Sequence, residues 1–316
     1  MFILGFATMS DIHCASAVLM IRPVRFAGNE QTAASNRFQQ LGAESEDVQS
    51  RALAEFDALS SALDAAGIDV HVFDDTSEPH TPDSIFPNNW VSFHADGTVV
   101  LYPMMAPNRR LERRLDIIEA LDMHHGFRIA RTVDLSHREA EEKFLEGTGS
   151  LVLDRANRIA YACLSPRTDM DVLGEFAQRL DYEIVAFEAT DAGGTPIYHT
   201  NVLMSVGEKF AAVCIECIEP QRRSAVVNML SSTGHELVNL TLPQMHGFAG
   251  NMLQLRTRSG EHVIAMSQAA RNVLDPTQIA LLEKHGKIIA VPIPTIERLG
   301  GGSVRCMIAE VGLRKK

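Results

Sequence analysis

A cysteine near the end of the chain follows three consecutive glycines, in Leu299-Gly300-Gly301-Gly302-Ser303-Val304-Arg305-Cys306. A backbone that permissive lets a ligand or another stretch of chain come unusually close, so a thiol beside it is placed as a nucleophile. A thiol needs a basic partner to react at neutral pH, and the pair needs a third group to orient it. Residues of both types occur elsewhere. His199 stands in Tyr198-His199-Thr200-Asn201, and Glu146 stands in the glycine-flanked turn Phe144-Leu145-Glu146-Gly147-Thr148-Gly149. A carboxylate such as Glu146 can hold a cationic or N–H-rich group through paired hydrogen bonds. The proline-stiffened turn Ser84-Ile85-Phe86-Pro87-Asn88-Asn89-Trp90 offers two side-chain amides beside aromatic surface. Past a second such turn, Pro103 to Arg114, Arg109 is positioned to fork onto a carboxylate, whereas Arg113 and Arg114 read as a solvated helix start. Cys214-Ile215-Glu216-Cys217 has half of a zinc spacing. It lies in an apolar strand-like run in which residues three apart face opposite ways, and no second ligand pair follows, so no metal is expected there.

The elements that must bring these residues together recur along the chain. A small polar residue is followed by four or five strand residues, a turn and a second strand. The copies begin at Asn89, Ser150, Asn201, Asn251 and Ser303, at spacings of 61, 51, 50 and 52 residues. Turn signals close the first four hairpins, for example Ala95-Asp96-Gly97 and Arg258-Ser259-Gly260. Helical stretches are then expected over 109–121, 169–180, 221–231 and 276–285, and short closing strands over 128–133, 183–187, 235–239 and 287–291. The fifth unit is split: its opening strand pair lies in Ser303 to Val311, with Cys306 just inside a strand, while Ala17–Ile21 and a helix from Val48 to Ala66 supply the rest. A period near fifty residues describes one unit repeated. The expectation is a ring of five ββαβ units forming one closed domain over 1–316, with 1–16 as an N-terminal extension. Residues near 89, 150, 201, 251 and 303 then converge at one end of a central channel, where ligands bind.

Composition narrows the function. A net charge of −11 lacks the basic footprint of a nucleic-acid binder. Five scattered cysteines, an odd number, suit a reducing cytoplasm rather than a disulfide framework. The apolar start, Met1 to Phe6, has no preceding Lys or Arg and so lacks the basic region of a signal peptide, and no later run is long enough to span a membrane.

On the Glu-Gly turn at Glu146, the His-x-Asn at His199, the glycine-run Cys306 and the Pro-Met-x-x-Pro-x-Arg-Arg-x-Glu stretch from Pro103 to Glu112, the chain resembles the guanidine-modifying superfamily. That superfamily includes arginine deiminases, amidinotransferases, dimethylarginine hydrolases and succinylarginine dihydrolases. The resemblance runs from Arg22 to Glu310 and implies a five-bladed pseudo-symmetric α/β propeller, the pentein fold. By the same match Arg109 holds a substrate carboxylate. Where deiminases carry aspartates, this chain has Asn89 and Asn201. Amides both donate and accept, which suits the C=O and N–H of a neutral ureido group. The chain is therefore most similar to citrulline-utilisation hydrolases and to dihydrolases that take arginine through citrulline to ornithine. Cys306 attacks the guanidino or ureido carbon, protonated His199 donates to departing ammonia, and His199 then activates water. The reading requires no metal or organic cofactor and no partner beyond a small arginine- or citrulline-like substrate, with homo-oligomerisation left open. The segment from Arg22 to Thr32 suits a lid, with Asn29 as a candidate for the substrate amine. An amidinotransferase, a dimethylarginine-type hydrolase and a non-catalytic arginine-binding module are the alternatives.

Overall fold

The computed structural model describes residues 13–40 and 45–316. The apolar start and most of the expected extension lie outside the described residues; of the described part, 13–16, His13, Cys14 and Ala15 are buried and Ser16 is exposed. The strands are β1 (Ala17–Arg22), β2 (Asp69–Asp74), β3 (Val91–Phe93), β4 (Thr98–Leu101), β5 (Arg131–Asp134), β6 (Leu151–Asp154), β7 (Ile159–Cys163) and β8 (Glu183–Phe187). They continue with β9 (Met204–Val206), β10 (Phe210–Val213), β11 (Glu236–Asn239), β12 (Leu253–Arg256), β13 (His262–Ser267), β14 (Lys287–Val291) and β15 (Ala309–Glu310).

Among the described residues these strands make five three-stranded sheets: β3-β4-β5, β6-β7-β8, β9-β10-β11, β12-β13-β14 and β15-β1-β2. In each, the first pair is antiparallel and the second pair parallel. A parallel pair needs a crossover, and a helix supplies it: Glu46–Ala65, Leu115–Met123, Met170–Leu180, Pro220–Ser232 or Pro276–His285. Local chemistry starts these helices where they start. The Asp169 carboxylate accepts from the amides of Asp171 and Val172, and Asp275 and Gln278 form a capping box ahead of Pro276.

The split unit forms as the repeat requires. β15, at the chain's end, pairs antiparallel with β1, placing Glu310 against Val18, and β1 pairs parallel with β2. Phe56, Leu59 and Leu63 of the crossover helix are buried against Val18, Met20 and Ile308, so burial of apolar surface welds the two ends of the chain together. First strands of different sheets also pack on one another, β3 on β15 and β9 on both β6 and β12.

Three expectations are corrected. The helix over 109–121 breaks in two, a 3-10 segment Pro107–Glu112 and the α-helix from Leu115, because Arg113 and Arg114 between them are extended, with ψ of 94° and 92°. Cys306 lies in a tight turn, Val304 to Met307, and the strand after it is confined to Ala309–Glu310. Cys214 and Cys217 do not face apart. The chain leaves β10 into a 3-10 turn that brings their sulfurs to 2.6 Å. Among the described residues no helix is long and apolar enough to cross a membrane.

Candidate active site

Each repeat copy begins not in a strand but in a short turn just before it. Asn89 ends the 3-10 turn Pro87–Asn89 ahead of β3, and Glu146 precedes the helical turn Gly147–Ser150 ahead of β6. His199 precedes Thr200–Leu203 ahead of β9, and Cys306 sits in the turn ahead of β15. These turns converge on one small cavity. Asn89, Arg109, His199 and Cys306 line it, together with Asp83, Arg167, Tyr198, Asn36 and the three glycines before Cys306. The free space is about 10 Å³, room for a single water.

Glu146 is completely buried and holds His199: its Oε2 lies 2.8 Å from His199 Nε2. A carboxylate accepts, so Nε2 carries the proton and Nδ1 keeps the basic lone pair. Burial by itself would raise the Glu146 pKa. The nearby Arg167 guanidinium, the His199 hydrogen bond and Arg109 outweigh it and hold the carboxyl well below its usual range. For His199 burial wins. It overrides the attraction of Glu146, with Arg167 and Arg109 adding repulsion, and lowers the imidazole to about 4. The resting imidazole is therefore neutral. Any proton it delivers it must first collect from the nucleophile.

Cys306 is buried, with its sulfur under two side-chain amides. Asn201 Nδ2 donates to Sγ at 3.4 Å and Asn251 Nδ2 at 3.3 Å, and Asn251 also donates to the Asn201 carbonyl at 2.9 Å. Asn201 thus faces the thiol. Two N–H donors stabilise sulfur anion as it forms or departs. The glycine run is used as expected. Gly301, at φ 65°, ends the helix Pro294–Gly300, and its carbonyl accepts from Tyr198 Oη at 2.7 Å. That bond ties the residue before His199 to the approach to Cys306. Gly149 provides a second close approach, since a Cβ there would meet Asn89 Nδ2 at 2.3 Å and His199 Nδ1 at 2.7 Å.

Two expected substrate contacts are otherwise engaged. Arg109 is buried rather than at a rim, and its fork already grips Glu112, with Nε and Nη2 each 2.9 Å from a carboxylate oxygen. Its Nη1 donates to Asn89 Oδ1 at 2.8 Å. A guanidinium only donates, so this contact fixes the amide: Oδ1 faces Arg109 and Nδ2, which has no partner, faces the site. Asn29 does not line the cavity. Its amide caps the turn Glu30–Ala33 and is spent on Asp83 at 2.7 Å and Asn108 at 2.8 Å. Asn36, further along the same segment, reaches the cavity instead, donating to the Gly301 carbonyl.

Sequence reasoning missed Asp83 and Arg167. Asp83 is buried with Oδ1 unpartnered, so a carboxylate is present at the site after all. The Arg167 guanidinium lies 4.9 Å from the Tyr198 ring, 3.4 Å from Glu146, and donates to Ser35 Oγ and the Thr32 carbonyl. A separate trio, Cys14, Glu208 and His262, has its ligand atoms within 4.8 Å of one another, away from Cys306.

The fold has counterparts among solved structures. The substrate-bound N-terminal domain of ArgZ, an arginine dihydrolase from cyanobacteria, superposes with a TM-score of 0.71 at 18% identity, over 93% of this chain and 97% of that domain. AgrE with ornithine and NAD+ gives 0.73 at 17% identity over 95% of this chain, and Pseudomonas aeruginosa DDAH with citrulline gives 0.63 at 12% over 94% of this chain and 99% of its own. The chain spans about 40% of full-length ArgZ and of AgrE. No curated protein matches it by sequence. Residues 22–313 match the family described as N,N dimethylarginine dimethylhydrolase, eukaryotic, and the chain belongs to that family.

Two outcomes follow from the geometry. Gly149→Ala places a methyl against the pinned Asn89 and His199 at a residue of ordinary φ, so kcat should fall by about a hundredfold and the melting temperature should fall with it; unchanged kcat would show that the packing is irrelevant. As pH falls below 6.5, unfolded chains protonate His199 while the folded protein resists until about pH 4, so stability drops over that interval. Urea unfolding of His199→Gln across those pH values should give a shallower slope than wild type, and equal slopes would contradict the buried neutral imidazole.

Proposed function

We propose that this protein is a cysteine hydrolase of a free arginine-type amino acid, carrying the guanidino group through a ureido intermediate to ornithine. The observation that carries the reading is that Cys306 and His199 line one buried cavity, with Glu146 behind it holding His199 rather than meeting a substrate. We take the five sheets to be the blades of a five-bladed α/β propeller, a single closed catalytic domain with this cavity at one end of its axis. Five free cysteines suit a reducing compartment such as the cytoplasm.

Cys306 attacks the guanidino carbon and passes its proton to His199 Nδ1. The tetrahedral adduct expels ammonia, which takes that proton, and leaves an amidino thioether. Water then attacks the same carbon, giving a proton to His199, and the C–S bond breaks to release citrulline and regenerate the thiol. A second round at the ureido carbon expels the ornithine amine. It leaves a carbamoyl thioester, which water opens to carbamate and thence to carbon dioxide and ammonia.

Two features support a substrate that changes charge midway. Asp83 lines the cavity with one carboxylate oxygen unpartnered, which favours a cationic ligand such as arginine. The Asn89 Nδ2 donor, fixed by Arg109, suits a carbonyl oxygen and therefore the ureido stage. The unpartnered Asp83 oxygen is available to a substrate ammonium group, and Arg167 is the cation nearest to hand for its carboxylate. The segment Asn29–Gln40 covers the cavity through bonds to Arg167, Gly301 and Arg298, and it must lift for substrate to reach Cys306. The family match over 22–313 favours a second reading, N-methylated arginine, in which a methylated amine leaves and the reaction stops at citrulline.

Incubation with arginine, citrulline and dimethylarginine decides among these. The expected result is two ammonia per ornithine from arginine, without any amine acceptor. Citrulline from dimethylarginine with no ornithine would establish the second reading, and strict dependence on an added amine would make the protein an amidinotransferase. Cys306→Ala should lower turnover by at least about a thousandfold while the fold persists.

A further inference from the structure

The site around Cys306 lies before the first strands of the sheets. The hairpin turns at the far ends of the same strands enclose a much larger space, about 620 Å³, within the range of small-molecule sites. Ala95 follows β3, Arg155 follows β6 and Thr257–Gly260 follow β12; the chain after β15, Val311 to Lys315, forms another wall. Phe127, Val311 and Leu313 make part of the lining apolar.

The charged residues on this lining run against the rest of the molecule. The chain carries a net charge of −11, yet Arg155, Arg256, Arg258, Arg314 and Lys315 face the cavity with Asp69 as the single acid among them. Three of the cations are committed: Arg155 to Glu310 at 3.5 Å, Arg258 to Asp64 at 3.2 Å and Lys315 to Asp69 at 3.3 Å. The guanidinium groups of Arg256 and Arg314 have no ion pair or side-chain hydrogen bond among the described residues, and both residues are exposed. Like charges gathered in a concave, partly apolar wall focus potential and raise the local concentration of ions of opposite sign. Nothing in the hydrolysis at Cys306 uses these residues.

We propose that this cavity binds a small organic dianion, a dicarboxylate or a phosphate ester, held between Arg256 and Arg314 with its carbon body against Phe127 and Leu313. A guanidinium binds carboxylate and phosphate oxygens alike through two parallel N–H groups, so both chemistries share the site.

Isothermal titration of the full chain with succinate and with glycerol phosphate, at about 20 mM ionic strength to limit screening, tests this. At least one should bind with a stoichiometry of one. The Arg256→Ala/Arg314→Ala variant should bind about tenfold or more weakly, at unchanged melting temperature and unchanged turnover at Cys306. The corresponding double Lys variant should retain part of the affinity. Binding of succinate alone identifies a carboxylate site, and of glycerol phosphate alone a phosphate site. No heat from either anion at about 5 mM, a Kd weaker than any useful site, would overturn the proposal, as would equal affinity in the wild-type and double Ala proteins.

Discussion

The Glu146 carboxylate is ionised with none of its surface open to water, and much of the site is arranged around that charge. Removing a carboxylate from water costs several kcal/mol unless its oxygens find donors and an opposite charge. Glu146 finds both, in the His199 N–H, the Met105 amide and the Arg167 guanidinium. Each partner has a further duty. The His199 bond sets the tautomer that leaves Nδ1 basic. Arg167, drawn in by the charge, stacks on Tyr198 and holds the covering segment through Ser35 and Thr32. Tyr198 in turn bonds to the glycine run before Cys306. One buried charge thereby links His199, the covering segment and the approach to Cys306.

A second buried ion pair has a quieter role. Arg109 and Glu112 satisfy each other, which removes Arg109 from direct contact with a substrate carboxylate, but the remaining N–H groups orient Asn89. Arg109 thereby fixes which end of the Asn89 amide faces the cavity. That distinction matters chemically, because the amide's donor end selects for oxygen and its acceptor end for N–H.

The repeat was legible because it is a property of spacing, which folding preserves. The closing strands Glu183–Phe187 and Lys287–Val291 and the helix Pro276–His285 fall where the period puts them, and the split unit closes through β1 and β15. The same period brought Glu146, His199 and Cys306 to matching turns. Asn251 occupied an equivalent position in the fourth copy, so its signal was present, although its partnership with the sulfur emerges only from the turn geometry. Asp83 and Arg167 sit outside the repeating positions, and their importance comes from burial beside groups distant in sequence, which periodicity does not encode. Breaks in local structure, such as the extended Arg113 and Arg114, arise for the same kind of reason: Arg113 is pulled onto Glu139 and the Tyr102 carbonyl.

The covalent step at Cys306 is the claim on which the account stands. Acid quenching of the His199→Gln variant after mixing with arginine, followed by peptide mass mapping, tests it directly, because loss of the base slows release of the adduct. The expected result is arginine less one ammonia, its amidino carbon still bearing the ornithine chain, or in the second round a carbamoyl group, on the peptide containing Cys306 and on no other. Product formation with Cys306 unmodified throughout, or an adduct on a different cysteine, would contradict it.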